Sequence, residues 1–171
     1  MHKNTILDIP LEHYLQLAQD KWQENKKLAK RLKKTPPRDL DATCQELTDE
    51  AFGYINCLEC GNCCRSLGPR LTERDIDRLA GYLRIKPSTF VTKYIRQDED
   101  KDYVFNHMPC PFILEDNFCT VYQHRPRACR DFPHTDRKRV HQIMDVLLKN
   151  TLICPIAYQV FQGLKETYRL P

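Results

Sequence analysis

The sequence predicts an α+β fold, mostly helical, in which a small β-hairpin and loops gather a cysteine metal cluster and helices surround it. Three observations predict it. Apolar residues recur at helical spacing near both ends of the chain and again around 72–94. Strand signals are short and confined to 103–122. Eight of the nine cysteines fall between 57 and 154, four of them within residues 57–64.

Residues 10–34 read as one long helix. Leu11, Leu15, Ala18, Trp22, Asn25, Ala29 and Leu32 alternate at spacings of four and three, with Pro10 at the start and Pro36-Pro37 at the stop. Its last part is basic (Lys26, Lys27, Lys30, Arg31, Lys33, Lys34), which suits a helix C-terminus. Leu40, Cys44, Leu47 and Ala51 make a second stripe. Thr72-Glu-Arg-Asp75 is a helix-start signature, followed by the apolar face Ile76, Leu79, Ala80 and Leu83. Pro87 opens a short helix through Tyr94, and 97–102 is a charged turn. Tyr103–Phe105, Pro111–Leu114 and Phe118–Tyr122 read as strands, the last two as a hairpin, and 125–132 as a loop with a helical turn. Val140, Ile143, Met144, Leu147 and Leu148 mark one closing helix. Ile156, Ala157, Val160, Phe161, Leu164 and Tyr168 mark the other, which Pro155 starts.

The 171 residues and 41% apolar content suit one ordinary domain with an appended helix. The expected division is 1–38 as a basic helix and 39–171 as the cysteine-cluster metal-binding domain. No stretch reads as a membrane span, and the opening MHKNTILDIPLEHYL lacks the apolar run of a secretory signal. The expectation is a cytoplasmic protein with no membrane partner. There thiols stay reduced, so clustered cysteines read as metal ligands rather than disulfides.

The formal charge is +4, from 27 basic and 23 acidic residues. Ligating thiolates are deprotonated, so eight of them carrying two divalent ions would cancel that excess. The charge balance and the lack of aromatic residues among the lysines of 26–34 argue against nucleic acid. The basic helix reads first as a solvated face, with contact to a protein partner as the alternative.

Cys57-Leu-Glu-Cys60-Gly-Asn-Cys63-Cys64 is the strongest signal. A C-x2-C pair lets one turn of backbone aim two sulfurs at one ion. Gly61 follows the second ligand, where a tight turn calls for positive φ or close backbone approach. Adjacent side chains diverge, so Cys63 and Cys64 are expected to serve different ions, or different atoms of one cluster. Cys110, Cys119, Cys129 and Cys154 complete eight candidates, which divide into two sets of four and imply two metal ions. Cys44 lies on an apolar helix stripe and reads as core. Thiolate sites suit zinc and iron–sulfur clusters alike. Cys57, Cys60 and Cys63 match the start of a ferredoxin run, but Cys64 departs from it. Arg65, Arg125, Arg127 and Arg130 bracket the thiols and read as charge compensation. His107, His124 and His134 read as neighbours rather than ligands.

CLECGNCC at 57–64, CPFI at 110–113, CTVY at 119–122, RPRACRDFP at 125–133 and Cys154-Pro155 together resemble the CxxCxxCC (YkgJ-like) zinc- or iron-chelating family. The resemblance implies that Cys57, Cys60, Cys63, Cys64, Cys110, Cys119, Cys129 and Cys154 are the metal ligands, and Cys44 has no counterpart. It implies chelation without supplying a reaction. A similar cysteine cluster is associated with a flagellin lysine-methylating enzyme, which keeps an enzyme in view.

The functional expectation is a metal-binding protein that chelates zinc or iron, with two ions. The alternatives are an iron–sulfur enzyme of redox or methyl-transfer chemistry and a zinc-stabilised interaction module. No phosphate-cradling loop, HExxH motif or serine triad is present, and five glycines leave little room for nucleotide motifs.

Overall fold

Ten α-helices and three short strands make up the described residues, 10–169, of a computed structural model. The helices are α1 (Leu11–Asp20), α2 (Trp22–Lys34), α3 (Leu40–Phe52), α4 (Cys57–Cys60), α5 (Asn62–Ser66), α6 (Glu73–Tyr82), α7 (Pro87–Tyr94), α8 (Arg127–Asp131), α9 (Met144–Asn150) and α10 (Pro155–Tyr168). The strands are β1 (Arg70–Leu71), β2 (Ile95–Gln97) and β3 (Tyr103–Phe105). The chain is mostly helical α+β, as its patterning predicts. It divides into two compact units, residues 57–132 and the residues on either side of them. No helix among the described residues is long and apolar enough to cross a membrane.

The flanking unit is all helical. Helix α10 packs on α3, α1 and α9, and α2 packs on α9. The run expected as one helix bends at Lys21, where φ is −90° and ψ 2°. Helical hydrogen bonds still cross the bend, from Lys21 N to Leu17 O and from Asn25 N to Lys21 O. The buried face is also rotated from the expected stripe. Tyr14 and Leu28 are buried, whereas Leu11, Leu15 and Trp22 are only half-buried. Tyr14 meets Tyr158 of α10 edge to face, with ring centroids 6.3 Å apart. The closing helix expected over 140–148 begins as a 3-10 turn, Val140–Ile143. The Asp41 carboxylate caps that turn by accepting from Arg139 N at 2.7 Å and Val140 N at 3.0 Å.

The 57–132 unit holds an antiparallel sheet in the order β1-β3-β2, with Val104 opposite both Arg70 and Arg96. Strands β1 and β2 are too short to show alternation, so the sequence pattern missed them. The charged turn between β2 and β3 closes on Asp98, whose carboxylate accepts from Asp100 N and Asp102 N. Phe112 sits in the core among Phe90, Tyr94 and Phe105, with centroid distances of 6.2, 5.1 and 5.6 Å. The hairpin expected over 111–122 is reduced to one bridge, Ile113 opposite Cys119. Two backbone bonds frame it, Leu114 N to Phe118 O and Thr120 N to Phe112 O, both 2.9 Å, while the Ile113 N–H turns back to Cys110 O at 3.2 Å.

Asp75 fastens this unit. Thr72 and Asp75 form the expected capping box at the start of α6. The Asp75 carboxylate is buried and also accepts from Arg78 at 2.6 Å and from Arg127 N at 3.0 Å. Arg78 in turn donates to the carbonyls of His124, at 3.3 Å, and Arg125, at 2.7 Å. One buried carboxylate thus fixes the segment that leads into Cys129. Burial alone pushes the Asp75 carboxyl up, but the hydrogen bonds from Thr72, Arg78 and Arg127 outweigh it and hold it below the usual range. Asp75→Ala is expected to cost about 2–3 kcal/mol in urea denaturation near neutral pH, from the lost cap and charged hydrogen bonds. Because the folded-state value is depressed, that contribution is present above the unfolded value of about 3.9. It is lost as pH falls through the folded value, so the stability gap to wild type narrows in acid.

Candidate metal centre

Seven of the eight predicted ligands lie in the 57–132 unit: Cys57, Cys60, Cys63, Cys64, Cys110, Cys119 and Cys129. Cys154 belongs to the flanking unit, where it is buried at the N-cap of α10 and donates its N–H to Asn150 O at 2.8 Å. None of the nine cysteines is in a disulfide. Cys44 is fully buried in α3, and burial, with the nearby Asp41, pushes its thiol up to about 12.

The C-x2-C run folds as two single helical turns, α4 and α5, hinged at Gly61. Gly61 has φ 58° and ψ 0°, the left-handed conformation that glycine adopts without strain. Position i+3 on one turn shares a face, so Cys57 and Cys60 project together. Across the hinge, Cys63 Sγ and Cys64 Sγ stand 4.0 Å apart. This differs from the divergence expected of neighbouring side chains. A tetrahedral site with metal–sulfur bonds near 2.3 Å has sulfurs about 3.8 Å apart, so the pair can share one ion.

A thiolate at Cys64, the one thiol of this group that is lowered, would raise Cys57, Cys60, Cys110, Cys119 and Cys129. The Cys110 N–H donates to Cys64 O at 2.8 Å, which ties the two loops at that point. Burial is the largest influence on five of these thiols. It pushes Cys110 up to about 11 and Cys129 up to about 12. The Cys57 residue is exposed overall, yet desolvation still dominates its thiol and raises it. Cys64 goes the other way, down to about 7. The hydrogen bond from Cys63 contributes most, and Arg125 and Arg65 add to it against the cost of burial.

Backbone amides also converge on sulfur. Asn62 N–H serves Cys60, Phe112 and Ile113 serve Cys110, and Val121 serves Cys119. Each such bond favours the thiolate. In Cys110-Pro-Phe112 and Cys119-Thr-Val121 the second residue after the cysteine does two things. Its amide turns to the sulfur, while its side chain is buried in the core. Arg125 lies against the face of Tyr122, 3.6 Å from the ring centroid, and acts on Cys57, Cys64, Cys119 and Cys129. Two of the four bracketing arginines, Arg65 and Arg125, therefore compensate thiolate charge. Arg127 pairs instead with Asp131, at 3.1 Å.

A lattice of hydrogen bonds joins the two cysteine loops. Asn117 Nδ2 donates to Glu59 O at 2.8 Å, and Asn117 Oδ1 accepts from Arg65 Nε at 2.9 Å. Arg65 also donates to Leu114 O and Glu115 O, both at 3.1 Å. A Cβ on Gly61 would fall 2.5 Å from Asn117 Oδ1. The sequence reading missed Asn117, and the only signal for it was its place in the Glu115-Asp-Asn117 turn. Of the histidines, His124 stacks on Tyr82 at 4.3 Å and His107 Nδ1 meets Asn106 Oδ1 at 2.8 Å.

The donor set fits a thiophilic ion, because softness favours zinc and iron and the amide donors favour thiolates. As placed, no three His, Cys, Asp or Glu side chains among the described residues close on a common point.

A family model described as "CxxCxxCC: Putative zinc- or iron-chelating domain" matches residues 56–154. An uncharacterized protein of Methanocaldococcus jannaschii is 29% identical over 94 residues, covering 50% of each chain. The chain thus spans half the length of that curated relative. No solved structure matches.

Gly61→Ala is expected to destabilise the protein by about 2–4 kcal/mol in urea denaturation, from left-handed strain and the displaced Asn117. Gly81→Ala is its counterpart. It lies in α6 with open space around it and should gain about 0.5–1 kcal/mol. In chelator-stripped protein at pH 7, mapping of iodoacetamide adducts should find Cys64 alkylated well before Cys129, because the thiolate is the nucleophile.

Proposed function

This chain belongs to the CxxCxxCC family, and from that premise we propose that it binds two zinc or iron ions through Cys57, Cys60, Cys63, Cys64, Cys110, Cys119, Cys129 and Cys154. The observation that carries the reading is that seven free, mutually interacting thiols share the 57–132 unit, with the Cys63 and Cys64 sulfurs 4.0 Å apart and Cys110 N–H bonded to Cys64 O. Backbone amides and two arginines favour thiolate over thiol there. Cys154 enters on its place in the family motif. When bound, zinc would supply structural cross-linking, and iron would add one-electron chemistry. The chain's own residues hold and orient the sulfurs. Gly61 turns the C-x2-C run, Phe112 and Val121 anchor the downstream loops, and Arg125 offsets anionic charge. A reducing compartment such as the cytoplasm would keep these thiols available. The basic segment within 1–38 is the surface through which a protein partner would act.

Metal analysis of anaerobically purified protein tests this directly. Colourless protein with two zinc ions per chain supports the chelator, whereas brown protein with acid-labile sulfide supports the iron–sulfur alternative. Protein that takes up neither metal overturns both. Cys60→Ser and Cys129→Ser should lose metal and lower thermal stability, because site formation and folding are coupled. Cys44→Ser should keep full metal content. Equal metal loss in all three variants would remove the distinction between ligand and core cysteine.

A further inference from the structure

We propose that Asn117 is the positioning residue of the metal centre, setting the geometry of the 57–64 thiols against those at 110 and 119 through both ends of its amide. The inference rests on the metal-binding reading above. It concerns a side chain that is not itself a ligand.

Asn117 has φ 66°, and it faces Gly61, which has φ 58°. Asparagine is among the few side chains that tolerate the left-handed region, so it holds the turn at little cost. Glycine would hold the same turn but would offer no side chain. The amide then bonds in two directions at once. Its Nδ2 donates to Glu59 O, inside α4 between Cys57 and Cys60, at 2.8 Å. Its Oδ1 accepts from Arg65 Nε, immediately after Cys64, at 2.9 Å.

Arg65 closes the ring by donating to the carbonyls of Leu114 and Glu115, which precede Asn117 in the same turn. The Asn117 N–H returns to Leu114 O at 3.1 Å. The amide thus grips the stretch 57–65 on both sides of the hinge, and Arg65 grips the 114–117 turn. Cys119 lies two residues beyond that turn, and Ile113, beside it, bridges Cys119. No substitute reproduces this. Aspartate has no donor for Glu59 O, and glycine keeps the fold of the turn while deleting the cross-tie. Groups that orient ligating residues from outside the ligand set change metal affinity by about 10–100-fold when removed.

The test uses the full-length chain, with zinc and cobalt(II) alone as probes. Zinc affinity is read by competition with a chromophoric chelator, and site geometry by the visible ligand-field spectrum at saturating cobalt. Asn117→Gly and Asn117→Asp are expected to weaken zinc at least tenfold and to alter the cobalt spectrum, with the metal count at saturation unchanged. Ile76→Val supplies a stability control. It should lower the melting temperature without moving the cobalt spectrum, which separates positioning from loss of stability. If an Asn117 variant fails to fold, Arg65→Lys carries the test, because lysine cannot span Asn117 and two carbonyls. Wild-type affinity and an unshifted spectrum in Asn117→Gly, or in Arg65→Lys if that variant carries the test, would overturn the inference and leave metal binding standing. A wild-type chain that binds neither zinc nor cobalt would bring down both.

Discussion

Holding seven ionisable sulfurs in one small unit is the constraint to which residues 57–132 are built. Each added thiolate raises the cost of the next, and burial raises it further. The fold meets that cost with dipoles and fixed positive charge. Amides of Asn62, Phe112 and Val121 favour the thiolates of Cys60, Cys110 and Cys119, and the charge of Arg125 favours those of Cys57, Cys64, Cys119 and Cys129. The expected hairpin shrinks to a single bridge between the turns that carry Cys110 and Cys119.

Hydrophobic anchoring and polar bracing share the work of holding these turns. Phe112 fills a box of aromatic rings, and Val121 is buried in the same cluster. On the other side, Asp75 draws Thr72, Arg78 and Arg127 onto one carboxylate, and Arg78 extends the brace to the carbonyls before Cys129. Cysteine-bearing loops with little regular structure are thereby fixed at both the apolar and the polar end.

Much of this was legible in the sequence, and the limits have physical reasons. The Thr72–Asp75 cap, the helix after Pro87 and the burial of Cys44 followed from local chemistry that needs no tertiary contact. Gly61 was legible as a turn, since few residues besides glycine accept that conformation. Asn117 was not, because its role depends on Glu59 and Arg65, more than fifty residues upstream. The two-residue strand β1 has too few positions to show a period. Helical periodicity marked the 10–34 run and its buried Ala18, Asn25, Ala29 and Leu32 but missed Tyr14, which packs on Tyr158, and Leu28. The closeness of the Cys63 and Cys64 sulfurs depends on side-chain placement within α5, which spacing alone does not reveal.

The thiol-bearing unit is one uninterrupted stretch, 57–132, whereas the helical unit is split around it. During synthesis the stretch is made in full before α9 and α10. Its internal contacts can therefore form on the nascent chain, whereas α3 must wait for the C-terminal helices that cover it. Cys154 lies on the late side of that divide, so of the eight sulfurs it is the last to leave the ribosome.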